Sequence, residues 1–196
     1  MVGVSFLASV YGIYCVAAFK IFGADNIPDD QFLAIIGSVG NFINGIGRLF
    51  WAQAMDWVPF KTVVMCLVGL QIVLSATIYW IVEFKAVYLI WVALSLACQG
   101  GIMSLYAAIC GHVYGPTVGG KMTALVIYNI GIASVLVGLV QRFAITSIGY
   151  FAMFYILCGC SIISLLIHIF CYKDANKWNK PGGVADPLMS EKDKEK

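Results

Sequence analysis

Residues Thr62–Val82 read TVVMCLVGLQIVLSATIYWIV, with no charged residue between Lys61 and Glu83. A helix needs about 20 mainly apolar residues to cross about 30 Å of hydrocarbon, and this stretch supplies them. The same pattern extends outward. No charge separates Lys85 from Lys121, Lys121 from Arg142, or Arg142 from Lys173. Each interval is long enough for a membrane span, so the charges punctuate a series of spans.

Composition agrees. The 196-residue chain is 61% hydrophobic and 11% charged, whereas soluble domains carry about 45–50% apolar and about 25% charged residues. Such a chain could not cover its surface with polar groups in water. Six spans are predicted: Val2–Phe22, Phe32–Met55, Thr62–Val82, Val87–Tyr114, Met122–Val140 and Ile148–Tyr172. The expected fold is an all-α integral membrane bundle of six transmembrane helices over residues 1–172. A polar tail, 173–196, carries Pro181-Gly182-Gly183 and a charged end; it lacks the apolar content to pack and is expected to be disordered.

The predicted connections are short. Gly23–Gln31 holds Pro28 and three aspartates, Trp57–Lys61 holds Pro59, and Glu83–Lys85 is a tight turn. Gly115–Lys121 holds Pro116, Gly119 and Gly120, and Arg142–Ser147 is brief. With six spans both ends share a side. That side holds Arg48, Lys61, Lys121 and the six tail lysines, against Lys20, Lys85 and Arg142 on the other. Excess Lys and Arg marks the inner face, so the ends are expected inside; without the tail the sides are equal. The chain opens on an apolar run with no basic leader, unlike a typical signal peptide. Which membrane it occupies, plasma or organellar, is not encoded in any address visible here.

Seven cysteines, Cys15, Cys66, Cys98, Cys110, Cys158, Cys160 and Cys171, all lie in apolar stretches. An odd count placed there argues against a disulfide framework. Cys158-Gly-Cys160 sits mid-membrane, where small residues at helix contacts explain it better than a metal site. No phosphate loop, HExxH or zinc-type spacing is present, and nothing combines nucleophile, base and orienting group. No cofactor, metal, enzymatic activity or nucleic-acid partner is expected. Trp51, Trp57, Tyr79, Trp80, Trp91 and Tyr172 fall near span ends, as in interfacial aromatic belts.

Arg48 is the anomaly. It follows Asp30 by a long uncharged run and is placed roughly 8–10 Å inside the end of the second span. An Arg at a span centre costs about 2.5–3.5 kcal/mol on insertion scales, less nearer the end. Gly37, Asn41, Asn44 and Arg48 recur at spacings of four, three and four, which places them on one helix face. A face of amides ending in a guanidinium suits water or an anion, and the planar fork of Arg matches a carboxylate at two points. The competing reading has Arg48 reaching the inner interface, or pairing with Asp56 two turns on.

Other spans add weaker signals. Gln99, Gly100, Gly101, Ser104, Ala108, Gly111 and Gly115 form a small-residue surface on the fourth span, suited to close helix packing or a pathway lining. His112 could carry a proton, or simply be hydrogen-bonded. Asn129, the amide deep in the fifth span, could touch substrate or join two helices.

The stretch Gly37-Ser-Val-Gly-Asn-Phe-Ile-Asn-Gly-Ile-Gly-Arg-Leu-Phe-Trp-Ala-Gln-Ala-Met-Asp56, followed by Phe60-Lys61, resembles the eighth helix and following loop of major facilitator transporters. The closest likeness is to the oxalate/formate antiporter group and its monocarboxylate-transporter relatives. Gly100-Gly101-Ile-Met-Ser with Tyr114-Gly115 looks like their tenth helix; Ala18-Phe-Lys-Ile-Phe-Gly23 and Asp29-Asp30-Gln-Phe-Leu33 resemble their seventh-to-eighth connection. The resemblance runs from about Met1 to Tyr172.

It implies the C-terminal six-helix half of a transporter, working as symporter or antiporter, with Arg48 binding a substrate carboxylate. Asn44 stands where monocarboxylate transporters place an aspartate, which puts their proton relay in doubt. The fifth span lacks the lysine that oxalate carriers use, so a monocarboxylate such as lactate, pyruvate or formate fits better than a dicarboxylate. The substrate-binding set is then Arg48, Asn44, Asn41 and Asn129, with His112 as proton-coupling candidate. Asp56 and Lys61 retain part of an inner-gate motif, worn at Ala52 and Trp57. Facilitators pair two six-helix halves around a pathway. The expected partners are therefore membrane lipid, a small organic anion, and an N-terminal half or other membrane subunit. The alternative is a transport-inactive half kept as a structural subunit of a larger complex.

Overall fold

The computed structural model describes residues 2–171, and the side chains of residues 3–111, 114, 115, 118–143 and 148–170. The expected tail and its lysines lie outside the described residues, as does the side chain of His112. Among the described residues six helices form: α1 (Val2–Ala24), α2 (Asp30–Trp57), α3 (Phe60–Ile81), α4 (Lys85–Gly111), α5 (Val118–Phe143) and α6 (Ile148–Phe170). Each is long and apolar enough to cross a bilayer. The chain is a multi-pass integral membrane protein, all-helical over the described residues.

Local chemistry sets the helix ends. Asp29 caps α2: its side chain accepts from the Phe32 N–H at 3.0 Å, and Asp30 follows in the first turn, where negative charge complements the helix dipole. Pro59 disfavours helical geometry at Val58, which is extended at φ −129° and ψ 141°, so α2 stops there and α3 begins at Phe60. From Lys85 to Cys171 the backbone is helical except at Gly115 (φ 70°) and Gly149 (φ 79°). Both occupy conformations that cost glycine nothing and other residues much. The last corner thus falls at Gly149, not across the expected connection Arg142–Ser147. Residues 142–147 keep helical geometry, and Gly149 is the next residue without a Cβ to oppose positive φ.

Helix α4 is the hub. Over half of its most apolar stretch, 56%, is buried, against 22% for both α2 and α5. Lipid tails are as apolar as leucine, so helices associate through close packing and hydrogen bonds rather than by escaping solvent. The contacts fit that rule. Tyr11 and Ser95 hydroxyls lie 2.9 Å apart, and the Tyr88 hydroxyl donates to the Phe19 carbonyl at 2.6 Å, running α4 antiparallel to α1. The Trp91 indole donates to the Thr77 hydroxyl at 2.8 Å, joining α4 to α3. Tyr106 and His168 meet at 2.8 Å, joining α4 to α6. Because the Ser164 carbonyl can only accept, His168 Nδ1, 2.8 Å away, donates to it. A neutral His168 then takes the Tyr106 O–H at Nε2.

Buried Phe22 on α1 touches four rings, Tyr79, Tyr88, Tyr150 and Phe154, and so ties α3, α4 and α6 together. Two tryptophans read as interfacial pack inward instead: Trp91 through its hydrogen bond to Thr77, and Trp51 because bare Gly101 on α4 receives its ring. Trp57 and Trp80 are exposed at helix ends, as a belt requires. Cys15, Cys98, Cys110 and Cys158 are buried free thiols; Cys158 points its Sγ at the Ile72 carbonyl, 3.8 Å away, as a small packing residue would.

Candidate functional site

The site is built on α2, where it leans on α4. One stripe of α2 is buried: Leu33, Ile36, Gly40 and Gly47. The absence of side chains brings the backbones together. A Cβ at Gly47 would stand 2.8 Å from the Ala97 carbonyl oxygen, and one at Gly40 would stand 2.9 Å from Leu96 Cδ2. A Cβ at Gly100 would collide with the Asn44 carbonyl and lie 3.1 Å from Arg48 Cγ. Gly100 and Gly101 of the small-residue surface are therefore packing positions.

The four polar-face residues divide by their place around this seam. Gly37 faces α1, where its Cβ would be 3.1 Å from the Phe19 ring. Asn44 is half-buried, and its amide nitrogen donates to the Leu96 carbonyl at 2.6 Å. That bond pins α2 to α4, a role the sequence pattern did not reveal, since an amide on a helix face reads the same whether it meets a ligand or a carbonyl. Asn41 and Arg48 are exposed. Asn129 is half-buried on a different helix, α5, beside its buried stripe of Val126, Ile130, Ala133 and Val137.

Helix α2 continues to Trp57, which at 1.5 Å per residue puts Arg48 about 14 Å from the helix end. The hydrocarbon stem lies over Gly100, and Nη2 reaches Met103 Sδ at 3.8 Å. A thioether is a weak acceptor that leaves a guanidinium's charge uncompensated. No carboxylate stands within 4.0 Å of Arg48 among the described residues; the carboxylate pairs are Lys20–Asp30 at 2.9 Å and Lys85–Asp29 at 3.5 Å, at the opposite ends of the helices. The Arg48–Asp56 pairing is not made. Nor does Asp56 meet Lys61, whose ammonium donates instead to the Ile169 carbonyl at the end of α6, at 2.9 Å.

No family model matches the chain, and no curated protein matches it either. The chemistry of Arg48 and its surroundings therefore carries the functional reading. The structure brings Arg48 and Asn44 to one seam, leaves Asn41 on the outer side of the same helix, and sets Asn129 on α5. A guanidinium inside a membrane-spanning helix, with no carboxylate partner among the described residues, can bind an anion through parallel N–H donors. Groups able to hold a metal do not gather in threes among the described residues.

Proposed function

We propose that the chain is the carboxylate-binding, C-terminal half of a major facilitator-type transporter of small organic anions, with Arg48 as the clamp. The observation that carries this is the exposed guanidinium of Arg48, well inside a membrane-spanning helix and without a carboxylate partner among the described residues. An intramembrane charge that faces neither a partner nor water is costly, and such residues mark substrate pathways. Helices α2 and α5, the two least buried, are each held by a narrow stripe. A second six-helix unit covering them would enclose Arg48 and let the anion replace Met103 as its partner. A monocarboxylate such as lactate, pyruvate or formate suits a single cation. Asn41, Asn44 and Asn129 would supply hydrogen bonds and His112 the coupled proton.

The test is uptake into liposomes of the chain with its partner half, driven by a lactate, pyruvate or formate gradient. Arg48→Ala should lower uptake by about 10- to 100-fold, the worth of a charge-assisted pair. Arg48→Lys should rescue it poorly, because an ammonium lacks the planar fork. Unchanged uptake in Arg48→Ala removes the assignment.

A second reading has its own support: the inner-gate residues Asp56 and Lys61 are not joined, and Lys61 is committed to α6. In that reading the chain is a transport-inactive membrane subunit of a larger complex. It requires a fixed stoichiometric partner and no thermal shift with any of the three anions.

A further inference from the structure

The Arg48 side chain, although exposed, is laid against α4 rather than extended away from the bundle. Its stem follows one turn of α4. Cγ passes over bare Gly100, and Nη2 ends at Met103, three residues on and so on the same helix face. A Cβ at Gly100 would press on the stem at 3.1 Å. Gly100 and Met103 therefore hold the guanidinium in one pose, and the group at the end of that pose is a thioether.

The nitrogen that Met103 meets matters first. A carboxylate grips a guanidinium at two points, side-on through Nε and Nη2 or end-on through Nη1 and Nη2. Nη2 belongs to both grips, so a sulfur 3.8 Å from it obstructs at least one of them. The nature of the atom matters next. Sulfur is polarisable and a weak acceptor, enough to ease the cost of a cation inside a span and too little to withhold it from a carboxylate. Leucine, of similar volume, offers no acceptor at all. A contact made without the ligand and surrendered on binding subtracts its worth from the affinity.

We infer that Met103 is an autoinhibitory contact on the Arg48 clamp, an assignment that rests on the clamp reading. Its thioether is parked on Nη2, and an incoming carboxylate must displace it. The contact lies at the charged end of the ligand, so it weakens every monocarboxylate by the same factor, whatever the rest of the anion. A residue lining the apolar part of the ligand would instead change the order among the anions.

The test is a titration of the full chain in mixed micelles with formate, acetate and lactate, followed by the side-chain N–H signals of arginine. The sequence has two arginines, and exposed Arg142, on α5, reports non-specific anion binding. Met103→Leu should tighten all three anions by a common factor of about two- to tenfold, the worth of one hydrogen bond. Met103→Gln, which brings a strong amide acceptor to a similar reach, should weaken all three. Either variant decides the question by itself if the other fails to fold. Unchanged or weaker binding in Met103→Leu, no weakening in Met103→Gln, or a factor that differs among the three anions overturns the autoinhibitory contact and leaves Arg48 as the clamp. An Arg48 signal that moves with none of the anions, or only in step with Arg142, removes the clamp and its competitor together.

Discussion

Gly40 and Gly47 on α2, and Gly131 and Gly138 on α5, are two pairs with the same seven-residue spacing and opposite surroundings. A Cβ on either member of the first pair would meet α4 within 3.0 Å; around either member of the second nothing stands within 4 Å. The first pair brings two helix backbones together and lets Asn44 reach the Leu96 carbonyl. The second lies on the open side of a helix held by Val126, Ile130, Ala133 and Val137. A small-residue repeat is permission for close approach, and whether it is used depends on what another helix presents.

That contrast can be broken by giving the two pairs the same substitution. Gly47→Ala pushes a methyl into a backbone carbonyl that cannot rotate away, and should cost about 1–3 kcal/mol. Gly131→Ala meets open space and should be neutral or stabilising by up to about 1 kcal/mol, the helix-propensity gain. Unfolding of each variant in mixed micelles measures both. Equal costs at the two sites would mean that the α2–α4 seam is not as tight as described.

A smaller effect separates packing from hydrogen bonding within the seam. Asn44→Ala removes the bond to Leu96 and should cost about 0.6–1.7 kcal/mol, the range for interhelical bonds in lipid. Combined with Gly47→Ala the loss should be less than additive, because a seam already pried open no longer holds the bond. Additive losses would uncouple the two.

The smallest expected effect lies where charges rather than small residues hold the helices. Hydrogen bonding from the Phe32 N–H, then the nearby Lys85 ammonium, holds the Asp29 carboxyl below the usual carboxylate range. A lowered folded-state pKa contributes stability that is present above the unfolded value and lost as pH falls through the folded one. Between about pH 6 and about pH 3 the wild type should therefore lose slightly more stability than Asp29→Asn. The midpoint difference between the two proteins should shrink as the carboxyl is protonated. A constant difference would show that the cap does not depend on charge.

The spans were legible because a bilayer imposes one rule on every residue of a helix. Charge-free intervals such as Thr62–Val82 match the length a helix needs to cross hydrocarbon, and the observed ends shift by only a few residues. Arg48 was legible for the same reason, as a breach of that rule. Its surroundings were not. Gly37, Asn41, Asn44 and Arg48 share a helical period, yet Gly37 meets α1, Asn44 meets α4, and Asn41 and Arg48 stay exposed. Nor could the sequence place Trp51 against Gly101, or His168 beside Tyr106, since those pairs lie far apart along the chain.

The sequence alone therefore determined that six helices cross the membrane, where they begin and end to within a turn, and that Arg48 sits well inside one of them. Those are one-dimensional consequences of hydrophobic length, capping and proline. The tertiary structure decided which small residues are used and which amide is glue. It also decided that Arg48 meets a thioether instead of a carboxylate. In lipid, helix pairing has no bulk driving force to read from composition. It follows from close contacts between surfaces, and those exist only once the helices stand side by side.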